Sequence, residues 1–151
     1  MLYNTYEGQA CSVARALEVV GERWTILILR DAFLGVRRFD DFQRSLGIAR
    51  NVLNARLQRL VEAGVLERRL YQERPPRYEY RLTEMGRDLW PALLALMQWG
   101  DRHLSGDGGP PLAVEHRGCG GTIDDRRTCS RCGAVVTLRD VGVTSRQAVS
   151  A

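Results

Sequence analysis

The sequence contains no lysine: all 22 of its basic residues are arginine. A GC-rich coding sequence produces that bias, so it is not read as selection for phosphate-gripping forks. Histidine occurs only twice, as His103 and His116. No Ser-His-Asp or Cys-His pairing is visible, no glycine-rich phosphate loop follows a strand, and the carboxylates are scattered over helix surfaces, so enzyme chemistry is not expected. No apolar run approaches the roughly 18 residues of a membrane span; the longest, Trp24 to Leu29, is a core-sized segment. The opening Met1-Leu-Tyr-Asn-Thr-Tyr-Glu7 has neither the basic nor the apolar region of a secretory leader, so the expected compartment is the cytoplasm. Thiols stay reduced there, and the four cysteines read first as metal or redox groups rather than disulfides.

What is present fits a globular protein. Hydrophobic residues make up 44% and charged residues 26%, too apolar for a disordered chain. The 151 residues allow one ordinary domain with a small appendage. The formal net charge is +4, and its distribution says more than its sum. Between Gly35 and Leu82 stand eleven arginines and six acidic residues, a local +5, so the rest of the chain sums to −1. A basic excess confined to one segment is the footprint of a nucleic-acid partner.

Apolar spacing predicts a helix over Cys11 to Val20, with Ser12 as its N-cap and Gly21 as its stop. A second, about Glu22 to Leu34, is apolar nearly all round and should be central. A short helix, Asp40 to Leu46, is broken by Gly47. Another follows from Arg50 to Ala63, with Val52, Leu53, Leu57, Leu60 and Val61 on one stripe. Val65 to Tyr71 and Arg77 to Leu82 suit two strands around an unpaired turn, Gln72 to Pro76. Thr83 should cap a long helix, Glu84 to Leu104, in which Pro91 either makes a kink or marks the effective start. The expected organisation is a domain over 1–104, a linker over 105–113, a cysteine-containing appendage over 114–143 and a flexible end over 144–151.

Two short helices joined by a glycine turn, the second presenting Arg and Asn, with a basic hairpin directly after, form a DNA-reading arrangement. The residues also resemble the HxlR family of winged helix-turn-helix regulators. The matching stretches are Cys11-Ser-Val-Ala-Arg-Ala-Leu17, Gly21-Glu-Arg-Trp-Thr-Ile-Leu-Ile-Leu-Arg30, Gly35-Val-Arg-Arg-Phe39, Leu53-Asn-Ala-Arg-Leu57 and Pro75-Pro-Arg-Tyr-Glu-Tyr-Arg-Leu-Thr-Glu-Met-Gly86. The resemblance covers about residues 8 to 104. It implies a mainly α fold with a small β-wing: a three-helix core, a two-stranded wing and added dimerisation helices. It also implies a homodimeric transcriptional regulator acting on double-stranded operator DNA, here read as a repressor released by a small-molecule effector or by thiol oxidation. Ala49-Arg50-Asn51 stands where relatives often carry Ser-Pro-Arg, and the tail after Gly106 lies outside the common core of the family.

On this reading Arg50, Asn51 and Asn54 face bases, since Arg pairs with guanine O6 and N7 and Asn with adenine N6 and N7. Arg56, rotated by about 200° from Asn54, should meet phosphate or solvent. Arg37 and Arg38 suit the backbone, and Arg74 and Arg77 flank the Pro75-Pro76 wing tip. The last predicted helix is apolar on more than one face. With Val13 and Leu17 of the first helix, its Leu89, Leu93, Leu96 and Met97 make the expected dimer interface. The competing reading is a protein-interaction module that uses a winged helix and a zinc ribbon without DNA.

Cys11 stands apart, near a helix start with Arg15 one turn on, surroundings that activate a thiol. In HxlR relatives the matching cysteine can be a thiol sensor, which makes Cys11 a redox candidate; the alternative is a small apolar residue at the dimer interface. The tail reads His116-Arg-Gly-Cys119-Gly, then Cys129-Ser-Arg-Cys132-Gly133. Three thiolates and one imidazole form a closed tetrahedral set with no open position, so structural zinc is expected in a ribbon-like tail.

Overall fold

The computed structural model describes residues 5–145. The chain divides into two compact units that part between Asp88 and Leu89.

The first unit begins with helix α1 (Ser12–Val20). Its N-cap is Cys11 rather than the expected Ser12. Cys11 keeps an extended backbone (φ −142°, ψ 154°) and its Sγ accepts from the Ala14 amide at 3.3 Å, so Ser12 is already inside the helix. Helix α2 (Thr25–Phe33) starts three residues later than its apolar pattern. Trp24 occupies the left-handed region (φ 79°), which no helix interior accepts, and the Thr25 N–H closes the turn onto the Glu22 carbonyl. Ile28 and Leu29 are fully buried as expected of a central helix, although Leu27 stays exposed.

Helix α3 (Phe39–Leu46) ends at Gly47, whose φ of 65° turns the chain at no steric cost. Helix α4 (Arg50–Glu62) follows. It buries Leu53, Leu57 and Leu60 at helical spacing, against a core that includes Phe42 of α3. Each such side chain contributes about 1.5–3 kcal/mol by leaving water. Strands β1 (Leu66–Gln72) and β2 (Arg77–Leu82) pair antiparallel from Leu66↔Leu82 to Gln72↔Arg77, with an irregularity between Leu70 and Gln72. An Arg38↔Glu79 bridge and the Tyr80 N–H on the Arg37 carbonyl (2.7 Å) lay the approach to α3 beside this hairpin.

Thr83 caps helix α5 (Glu84–Arg87), its Oγ1 accepting from the Gly86 amide. The single long helix expected from 84 to 104 is instead two. Pro91 cannot donate, and its ring crowds the carbonyl four residues back, which is Arg87, where α5 ends. Helix α6 (Trp90–Leu104) then starts with Pro91 in its first turn.

The second unit holds α6 and a small antiparallel pair, β3 (Leu112–His116) and β4 (Val141–Ser145). Strand β3 begins inside the stretch expected to be linker, and β4 runs to Ser145, past the expected end of the appendage. Residues 146–151 of the expected flexible end lie outside the described residues. Ala113, Cys129, Val136 and Val141 are buried, together with Trp90 and Leu94 of α6. The Gln98 side-chain amide of α6 donates to the Ile123 and Asp124 carbonyls at 3.2 and 3.1 Å, gripping the loop of the tail. Among the described residues no helix is long and apolar enough to cross a membrane.

Candidate nucleic-acid interface and metal centre

The start of α4 presents the side chains singled out as base readers. Asn51 and Asn54 are exposed, and neither side chain makes a hydrogen bond among the described residues. Arg50 is exposed as well, but it is held. Its Nη1 donates to Asp40 Oδ1 at 3.0 Å and to Gln43 Oε1 at 2.9 Å, and its guanidinium lies over the Phe39 ring at 4.6 Å. Asp40, Gln43 and Phe39 belong to α3 and escaped the sequence reading, because no local spacing links them to a residue across the Gly47 turn.

Beside them opens a cleft of about 530 Å³, lined by Arg38, Arg44, Arg50 and Arg77 among aromatic walls from Phe39, Tyr71 and Tyr78. Two arginines are stiffened by stacking on wing tyrosines: Arg38, just before α3, over Tyr71 at 4.5 Å and Arg68 of β1 over Tyr78 at 4.2 Å. The second pair is diagonal across the hairpin, since Arg68 faces Tyr80 and Tyr78 faces Leu70. Arg37, Arg74 and Arg77 are exposed. At the tip Gln72 donates to the Arg74 and Pro75 carbonyls, and the Arg74–Pro75 peptide is cis. The region thus offers exposed cations, some stacked on aromatic rings and two paired with α3 carboxylates (Arg44 with Asp41, Arg50 with Asp40), next to polar side chains at a helix start, the mixture of phosphate and base-edge partners that duplex DNA demands.

Arg56 departs from this surface. Its Nη2 meets Glu22 Oε2 at 2.5 Å and its Nε donates to the Arg23 carbonyl at 3.2 Å. It therefore pins the turn before α2 to the middle of α4, instead of standing free for phosphate.

In the tail, the ligand atoms of His116, Cys119, Cys129 and Cys132 all lie within 4.8 Å of one another. His116 Nδ1 is 3.3 Å from Cys119 Sγ and 3.2 Å from Cys132 Sγ, and the Cys119 and Cys129 sulfurs are 3.4 Å apart. Tetrahedral zinc with Zn–S near 2.3 Å and Zn–N near 2.0 Å spaces its ligands roughly 3.5–3.8 Å apart, a range that the separations in the cluster bracket, so the four groups are consistent with a zinc site. The backbone is shaped for thiolate. The Cys132 N–H is the chief cause that brings the Cys129 thiol down to about 6, against the effect of burial and with help from the Arg131 N–H. The Gly121 N–H favours thiolate at Cys119 too, but the neighbouring Cys129 and Cys132 sulfurs, with burial, leave that thiol raised. A Cβ on Gly121 would collide with the Cys129 sulfur, so only glycine lets the chain pass this close.

Cys11 is exposed and is not a member of this cluster. Val13 and Leu17 of α1 are exposed, as are Leu96 and Trp99 of α6. Leu89, Leu93 and Met97 are half-buried, and Met97 lines a groove of about 100 Å³ with Leu94, Ala113 and Ile123 in its own unit.

Comparison with known proteins extends these observations. Residues 19–107 match the HxlR-like helix-turn-helix family. The chain is 53% identical over 140 residues to the uncharacterized HTH-type transcriptional regulator Rv3095 of Mycobacterium tuberculosis, covering 93% of this chain and 87% of that one. It is 32% identical over 102 residues to the uncharacterized HTH-type transcriptional regulator YdeP of Bacillus subtilis, covering 67% of this chain and 80% of the other. Among solved structures, the crystallised protein PA1607 superposes with a TM-score of 0.72 at 38% identity, over 93% of this chain and 97% of its own. The redox regulator HypR in its reduced form gives a TM-score of 0.58 at 33% identity, over 61% of this chain and 92% of its own. The Rv3095 and PA1607 matches cover too much of the chain to stop at residue 107, so both extend into the tail.

Proposed function

The chain belongs to the HxlR-like helix-turn-helix family of DNA-binding transcriptional regulators, and from that premise we propose a homodimeric, sequence-specific repressor with a structural zinc in its tail. The observation that carries the reading is the exposed Arg50-Asn51 start of α4 beside an arginine-lined cleft and a stacked basic wing. Arg50, Asn51 and Asn54 read base edges in the major groove, while Arg37, Arg38, Arg74 and Arg77 engage phosphates or the minor groove. The exposed Val13 and Leu17 of α1 and Leu96 and Trp99 of α6 would cover one another between two copies. That arrangement sets two reading helices about 34 Å apart on a near-palindromic duplex.

His116, Cys119, Cys129 and Cys132 would hold zinc, which supplies a cross-link to a fold whose own core is a few small side chains. The set is closed, so its role is architectural. Release from DNA follows from an effector bound by the dimer or from oxidation of the exposed Cys11. The likeness to the redox regulator HypR supports the second route.

The test is a salt-matched competition. Duplexes selected from a random library by the purified dimer compete against unselected duplex of equal length. A specific regulator prefers the selected duplex by about a thousandfold or more; equal affinity for both would leave a non-specific binder. Footprint symmetry reads the dimer in the same experiment.

A further inference from the structure

We infer that Asp40 and Gln43 of α3 are positioning residues that orient Arg50 for base reading. The inference rests on the base-reading role proposed above for Arg50 and adds what sets its geometry. Both hydrogens of Arg50 Nη1 are committed, one to Asp40 Oδ1 (3.0 Å) and one to Gln43 Oε1 (2.9 Å). The Gln43 amide is itself oriented, because its Nε2 donates to the Ile48 carbonyl at 3.4 Å and so turns Oε1 toward Arg50. Asp40 and Gln43 stand three residues apart on α3, and therefore on one face of it. The Phe39 ring, 4.6 Å from the guanidinium carbon, gives the group a third support on α3. Neither Nε nor Nη2 of Arg50 makes a bond among the described residues, so the Nε–Nη2 edge is left to grip an acceptor pair such as guanine O6 and N7.

Folding stability does not account for the pair. Its side chains are 65% and 73% exposed, and an ion pair in that setting is worth little to folding. A carboxylate placed at a DNA-facing surface also repels phosphate, so its use there is to limit the directions Arg50 can take. An unrestrained arginine reaches phosphates and several bases; a buttressed one reaches a single edge, and the side-chain entropy of binding falls.

The experiment is a double-mutant cycle on the selected duplex and on its single base-pair substitutions, with Asp40→Ala, Gln43→Ala, Arg50→Ala and Asp40→Ala/Arg50→Ala. The expected result is a loss of about tenfold in discrimination with Asp40→Ala, confined to the base pair at which Arg50→Ala also loses it. A smaller loss follows Gln43→Ala, and the double variant adds nothing beyond Arg50→Ala. Asp40→Asn, which keeps the acceptor oxygen, restores most of the discrimination, a rescue that a merely structural role would not confine to one base pair. Unchanged discrimination in Asp40→Ala, or a uniform rise in affinity for every duplex, overturns the inference and leaves Arg50 as a reader without a buttress. If Arg50→Ala itself shows no loss confined to one base pair, the base-reading assignment fails first and this inference with it.

Discussion

Replacing Arg56 by alanine should cost stability and leave DNA selectivity intact. Arg56 ties the Glu22 carboxylate and the Arg23 carbonyl to the middle of α4, at the turn where Trp24 holds its left-handed conformation. Hydrogen bonds to charged partners are worth about 1.5–3 kcal/mol. Arg56 is 26% exposed and Glu22 59%, so solvent screening reduces the pair to about 1–2 kcal/mol. Losing it also frees the turn to relax, which lowers the barrier to fraying at the start of α2. For a unit of this size the melting temperature should fall by roughly 5–10 °C. Arg56→Lys keeps the charge without the planar fork and should fall about half as far. The assay is thermal unfolding followed by circular dichroism, beside salt titrations of duplex binding. An unchanged melting temperature would refute the reasoning, above all if the salt dependence of binding dropped by about one phosphate contact. Arg56 would then be a phosphate contact, one of the two roles that its position in the sequence allows.

Reduced protein should carry one zinc per chain, measured by elemental analysis, and Cys129→Ser should abolish it; Gly121→Ala should weaken it, since the added Cβ meets the Cys129 sulfur. In the metal-free, reduced state one thiol, Cys129, should titrate near 6 by thiolate ultraviolet absorbance. Its folded pKa is depressed from 9.0, so the stabilisation it contributes is complete above 9 and is lost as pH falls through about 6. With zinc bound, Cys11 should be the fast-reacting thiol, and a thiol oxidant should cross-link wild-type protein but not Cys11→Ser on non-reducing gels. Leu96→Arg, which places a charge on an exposed apolar stretch of α6, should shift the chain toward monomer in sedimentation and lower operator affinity by at least tenfold through the lost second half-site.

The helices and the wing were legible because their signals are local. Leu53, Leu57 and Leu60 repeat at helical spacing, and β2 alternates from Tyr78 to Leu82. The clustering of His116, Cys119, Cys129 and Cys132 is legible because two Cys-Gly knuckles stand at fixed spacing. What escaped was set by contacts across the chain or by single backbone angles. Trp24 carries no composition signal for φ 79°, so its apolar pattern makes α2 read three residues longer than it is. Ser12 has the side chain an N-cap favours, and only the extended backbone at Cys11 shows that the helix starts one residue earlier. The Arg56–Glu22 tie and the Asp40–Arg50–Gln43 network join residues that sequence spacing does not relate. The Gln98 amide likewise reaches the Ile123 and Asp124 carbonyls, 25 and 26 residues away, a link that no sequence spacing signals.

The central claim, that α4 reads sequence and the wing supplies affinity, is tested most directly by selecting duplexes from a random library with wild type, Arg50→Ala and Arg77→Ala side by side. The account predicts two symmetric half-sites about one helical turn apart for wild type. Arg50→Ala should erase the preference at one base pair per half-site. Arg77→Ala should keep the preference while weakening binding and reducing the salt slope by about one. The same preference from wild type and Arg50→Ala would contradict the account.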